Sequence, residues 1–257
     1  MIRGDITRWT IGLALLALSV GCSHTWFQFD VSQNELNWIA NAQGALAASA
    51  GNPNALAQVV DLQGRRGAET LIAGMTVEST EADRQYDQLA HALYLGLIGD
   101  LDDPAAALSS DTNMMAARVA QRVAASGLNQ MGLGMIGNLV GQFADNDGQR
   151  LNEMSASLAR GQIGTCREGD VIVSYNAGIL GHIHTDLADN DPTYQAWRDR
   201  VRAIHLVRFT CATGHVLVVM TRNRDEQGLR VIGWHFMTPQ QWQSLEPQLR
   251  QAFDLPS

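Results

Sequence analysis

Near Gly161 the hydrophobic period of this chain changes from helical to extended, and few architectures accommodate that order of elements. From Val31 to about Arg160 apolar residues recur three and four positions apart, in a background rich in Ala and Leu. Beyond Gly161 the apolar residues gather in short β-branched runs bounded by turn-forming residues. Helices that come first and strands that come together afterwards predict an α+β fold, with a helical N-terminal region followed by a small antiparallel β-meander and packed helices. The charge changes at the same place. Residues 22–160 carry 7 Arg and 15 acids, whereas 161–257 carry 9 Arg and 10 acids. A boundary is therefore placed between a helical region, 31–160, and an α+β region, 161–257.

Local signals refine the outline. Ser32 followed by Glu35 has the spacing of a capping box ahead of Leu36, Ile39 and Ala40. Gly51-Asn52-Pro53-Asn54 is a break, and a helix from about Pro53 to Leu62 is expected to end at Gly64 and Gly67. Ser79 or Thr80 can cap a helix that carries Ala82, Leu89, Leu93 and Leu97. After the boundary, Val171–Tyr175, Ala203–Thr210, His215–Thr221 and Leu229–Phe236 read as strands, the last three as a meander. Asp191-Pro192 opens a short helix through about Arg200. Thr238-Pro239 starts a closing helix through Trp242 and Leu245 that Pro247 is expected to interrupt.

The first 22 residues bear on location. Arg3 and Arg8 precede twelve uncharged, mostly apolar residues, Trp9–Val20. A membrane span needs about 20 such residues, so the segment reads as the hydrophobic core of a signal peptide, residues 1–21. It ends Leu18-Ser19-Val20-Gly21-Cys22. This resembles the lipobox of bacterial lipoproteins, whose N-terminal Cys is acylated after cleavage. Gly21 and Cys22 match, while the Leu usual three residues before the Cys stands one place early, at Leu18. The other reading is an ordinary secretory signal. Ser23, where lipoproteins retained in the inner membrane often carry Asp, implies by the same resemblance the periplasmic face of the outer membrane. Residues 22–30 would form a lipidated tether, with Trp26, Phe27 and Phe29 either at the lipid interface or packed on the domain.

Composition then narrows the function. With 46% hydrophobic residues and 6 Pro, disorder is excluded. All 18 basic residues are Arg, and against 26 acids the net charge is −8, which disfavours nucleic acid as a partner. Export places the cysteines in an oxidising compartment, where a disulfide is the simplest account of Cys166 and Cys211. It would close a loop of about 45 residues and add about 4 kcal/mol on the chain-entropy estimate. Reduced thiols, or a thiol nucleophile served by His205 or His215, are the alternatives.

Gly181-His182-Ile183-His184-Thr185-Asp186 offers a second chemistry. In an extended segment His182, His184 and Asp186 would share one side, and such a set can hold zinc. The run resembles the HxHxD motif of metallo-β-lactamase-type hydrolases, but Leu187 stands where that family has a further His. The alternative is a polar loop whose imidazoles cap backbone groups. Arg198, Arg200, Arg202 and Arg208 could meet an anionic partner, or pair with Asp189, Asp191 and Asp199 on a solvated face.

Val123–Ala144 holds 22 residues without a charge. On a helix, Gly127, Gly134, Gly137 and Gly141 would lie opposite an apolar stripe. Glycine weakens a helix by about 1 kcal/mol relative to Ala, so the face asks for close approach by another helix or by a partner. GxSxG, a Walker-type loop and a GxGxxG turn are all missing. The strand–turn–strand that ends in Gly233-Trp234 resembles the end of NTF2-like domains. Together these features lead us to expect an outer-membrane-anchored periplasmic lipoprotein, non-catalytic and without cofactor, that binds an envelope protein or small ligand. The alternative is a zinc-dependent hydrolase centred on His182, His184 and Asp186.

Overall fold

A computed structural model describes residues 31–75, 84–97, 117–118, 147–183, 186–226 and 228–255. Among them are eight α-helices and one four-stranded sheet, which makes the fold α+β. The elements run α1 (Gln33–Ala48), α2 (Pro53–Leu56), α3 (Leu62–Gly74), α4 (Arg84–Leu97) and α5 (Asp147–Arg160). Then follow β1 (Arg167–Asn176), α6 (Asp186–Asn190), α7 (Pro192–Arg200), β2 (Val201–Cys211), β3 (Gly214–Asn223), β4 (Leu229–Met237) and α8 (Pro239–Ala252). The strands pair in the order β1-β2-β3-β4, each antiparallel to the next.

Side-chain alternation sends each strand to two cores. On one face Val173, Tyr175, Ile204, Leu206, Leu217, Val219 and Ile232 are packed with residues of α3, α4, α7 and α8. On the other, Val207, Phe209, Val216, Val218, Met220, Val231 and Trp234 meet Ile39 and Leu46 of α1, Leu56 of α2 and Leu158 of α5. The sheet is the middle of three layers. Burial on both faces explains why β3 reads as the unbroken apolar run Val216–Met220 rather than as alternation. The helices that precede Gly161 thus contribute to both cores of the sheet that follows it.

The caps form as the spacing predicts. Ser32 and Glu35 close a capping box on α1, Asp191 caps α7, and Thr238 with Gln241 closes a second box on α8. Three local expectations are corrected. The helix expected over Pro53–Leu62 stops at Leu56, and Val60 instead makes a parallel bridge to Val231 on the outer edge of β4. Gly64 and Gly67 do not end a helix but lie inside α3. At Gly67 a Cβ would come within 2.7 Å of the Cβ of Trp197, so the glycine lets α7 approach α3. Pro247 lies inside α8, which continues to Ala252. Trp242, Leu245 and Leu249 are buried on both sides of the proline, and Gln243, the residue whose carbonyl Pro247 cannot bond, is exposed.

Among the described residues no helix is long and apolar enough to cross a membrane. Cys166 and Cys211 form a disulfide between the residue entering β1 and the last residue of β2.

Candidate functional site

Two constellations of polar side chains stand out, one buried and one open. The buried one begins at the first turn of α1. Glu35 is the third residue of that helix, and its carboxylate Oε2 accepts from the Ser32 backbone N–H at 2.9 Å and from the Ser32 hydroxyl at 2.8 Å. The helix turns the same carboxylate inward, where Oε1 accepts from Arg222 of β3 at 2.9 Å. His205 of β2 places Nε2 3.7 Å from that oxygen, and its Nδ1 is 2.6 Å from the Ser174 hydroxyl of β1. Register makes the grouping unavoidable, because Ser174 pairs with His205 and His205 with Met220, two residues from Arg222 on the same face.

Burial alone would push the Glu35 carboxyl up, but the bonds from Ser32 and Arg222 and the nearby His205 outweigh it and hold it below its ordinary value. Burial pushes the His205 imidazole down; Glu35 opposes this and Arg222 reinforces it, so the ring stays neutral near pH 7. A neutral ring protonated on Nε2 leaves Nδ1 to accept from Ser174, while Nε2 stays near Glu35 without a hydrogen bond to it. Hydroxyl, imidazole and carboxylate in series form the order of a nucleophilic triad. Here, however, Ser174 is 5% exposed and His205 0%. The carboxylate of the series sits on α1, the helix that packs over this part of the sheet, so displacing α1 to reach the serine would dismantle the series. The arrangement fastens the start of α1 to the sheet.

The open constellation is a cleft of about 280 Å³ lined by Ala57, Val60, Asp61, Leu62, Leu151, Arg200, Glu226 and Arg230. Asp61 caps α3 through Gly64 N–H at 2.8 Å and pairs with Arg200 from the end of α7. Across the lining, Arg230 pairs with Glu226 at 2.8 Å. The two ion pairs share this lining with the apolar side chains of Ala57, Val60, Leu62 and Leu151, a mixture that can orient a small polar ligand. A third set of charges is structural. Arg65 donates to the carbonyls of Ile232 and Leu97 and pairs with Glu69, tying α3 to α4 and β4.

The residues singled out in the sequence fall as follows. Cys22, Gly127, Gly134, Gly137, Gly141 and His184 lie outside the described residues. His182 closes a 3-10 helix, Ala177–His182, Ile183 after it is extended, and Asp186 opens α6. Among the described residues no group of three or more His, Cys, Asp and Glu is placed to hold a metal ion. Of the Arg run, Arg198 pairs with Asp189 and Asp199, Arg200 with Asp61 and Arg208 with Asp170. Asp191 is taken by the α7 cap. The His215 ring lies tilted against Trp242 with centroids 5.0 Å apart, and the Trp242 ring also carries the Arg208 guanidinium at 4.9 Å.

Sequence reasoning did not find Ser174, or the buried role of Glu35 beyond its cap. Their only sequence signal is a lone polar residue in an apolar strand, Ser174 between Val173 and Tyr175, and another, His205, between Ile204 and Leu206. Comparison of the chain with protein-family models, with curated proteins and with solved structures finds no match.

Proposed function

We propose that this chain is exported, acylated at Cys22 and held at the periplasmic face of the outer membrane, where its folded part binds a partner or ligand and carries out no reaction. The Cys166–Cys211 bond is the observation that carries this reading. It engages both cysteines of the chain beyond Cys22 and leaves Cys22, behind its lipobox-like run, as the thiol open to lipid. A disulfide between neighbouring strands also suits the oxidising compartment to which such a signal leads. Removal of residues 1–21 leaves 236 residues with net charge −9. The binding half of the reading rests on how polar groups are used. Ser174, His205 and Glu35 hold α1 in place, whereas the cleft at Arg200 and Arg230 is open.

Intact mass of the protein taken from the envelope of a diderm host tests the proposal. The expected result is a chain that begins at Cys22 and carries acyl mass, with Cys166 and Cys211 alkylated only after reduction. Cys22→Ala should move the protein to the soluble fraction. An unacylated chain that begins at any other residue would overturn the anchor.

A further inference from the structure

We propose that the cleft at Arg200 and Arg230 takes a small zwitterion, a carboxylate and an ammonium carried on one hydrocarbon body. Given that the folded part binds a ligand, as proposed above, the charged side chains of the lining specify its chemistry. Arg200 uses only Nη2, on Asp61 Oδ2, so its Nε–H and Nη1 protons carry no bond. Arg230 uses Nε on Glu226 Oε2 and Nη1 on the Gln58 carbonyl, which leaves Nη2. Asp61 is engaged on both oxygens, by the Gly64 N–H and by Arg200. Glu226 keeps Oε1. Two guanidinium groups with spare N–H donors on one cleft receive a carboxylate, and the open oxygen of Glu226 receives an ammonium.

Charge decides between a zwitterion and a simple acid or amine. The lining holds two Arg and two acids, a formal charge of zero, in a chain whose net charge is −8. A lone carboxylate would leave one negative charge in excess in a cleft partly shielded from water, and a lone amine one positive charge. A zwitterion leaves neither. Ala57, Val60, Leu62 and Leu151 supply apolar contact for its body. The volume of about 280 Å³ lies just below the usual range of small-ligand sites, about 300–1,000 Å³, which suits an amino acid or a very short peptide.

Isothermal titration of the full chain at pH 7 with leucine, dileucine, N-acetyl-leucine and leucinamide tests the assignment. Leucine or dileucine is expected to saturate one site per chain with a Kd of about 1 mM or below. The tighter of the two tells whether a free amino acid or a short peptide is the source of the zwitterion. N-acetyl-leucine lacks the ammonium and leucinamide the carboxylate, so each should bind at least about tenfold more weakly than that probe. Glu226→Gln, at a partly exposed side chain, should weaken the zwitterion about tenfold and leave N-acetyl-leucine unweakened. Arg230→Gln should weaken the zwitterion and N-acetyl-leucine but not leucinamide, a split that a general loss of folding would not give. Saturable binding of N-acetyl-leucine or leucinamide within about twofold of the zwitterion would overturn the proposal and keep the cleft as a ligand site. No saturable binding by any of the probes would overturn the cleft as a small-ligand site as well, while acylation at Cys22 is read separately by mass.

Discussion

A glycine inside a helix has two opposite meanings in this protein, and the neighbour decides which applies. Gly44 of α1 has nothing within 4 Å of where a Cβ would stand, so Gly44→Ala should raise stability by up to about 1 kcal/mol through helix propensity alone. Gly67 of α3 has the same propensity to gain, yet its Cβ would enter the Trp197 side chain. Gly67→Ala should therefore lower stability by about 1–3 kcal/mol, the range for overpacking a core. Urea unfolding of the two variants beside the parent checks the pair, and equal shifts of one sign would contradict the packing. Gly96 of α4 makes the case more severely, since a Cβ there would lie 1.9 Å from Val219 Cγ2. Ser32→Ala removes the hydroxyl that reaches both the Glu35 amide and its carboxylate, and should cost about 1 kcal/mol in the same assay.

At the scale of elements, the two edges of the sheet are closed by different means. The outer edge of β4 receives the segment around Val60, through Asp61 N–H to Val231 O at 2.8 Å and Val231 N–H to Val59 O at 3.1 Å. The edge at β1 carries register shifts at Arg167/Gly169 and Val171/Val173, with Glu168 at a φ of 50°. Such bulges twist an edge away from pairing with other chains. The disulfide pins the bulged end of β1 to the end of β2. Its loop of 45 residues corresponds to about 4 kcal/mol on the chain-entropy estimate. Reduction should lower the urea midpoint accordingly and expose two thiols to alkylation, while the unreduced native protein should show neither in the folded domain. An unchanged midpoint after complete reduction would show that the bond leaves the unfolded chain unconstrained.

For the whole molecule, acid is the informative variable. His205 has its folded pKa below the ordinary 6.5, chiefly through burial, so the unfolded chain takes that proton first as pH falls. The stability that neutral His205 contributes is complete above about 6.5 and declines below it. His215 shifts the same way, by burial and by Arg208 beside it. Glu35 has its folded pKa below the ordinary 4.5, so its contribution is present above that value and is lost at lower pH. Urea midpoints should thus fall from pH 7.5 to 5.5 and fall again by pH 3.5. A rise over the first interval would contradict the environment described for His205.

Much of this architecture could be read before any coordinates. The change of period at Gly161, the turn at Ala212-Thr213 and the polar loop after Asn223 encode the meander, because alternation and turn chemistry are local properties of the chain. The Ser32 and Thr238 capping boxes and the Asp191-Pro192 start are local in the same sense, each being closed within three residues. The tertiary structure decided the rest. Whether Gly67 ends a helix or receives Trp197 depends on a residue 130 positions away, and α8 runs through Pro247 because a sheet face lies beneath it. Glu35, Ser174, His205 and Arg222 meet only once strand register and the seat of α1 are set. Residues near in sequence constrain one another through backbone geometry, which a sequence displays. Residues brought together by two buried sheet faces constrain one another through exclusion of water, and only the assembled layers produce that.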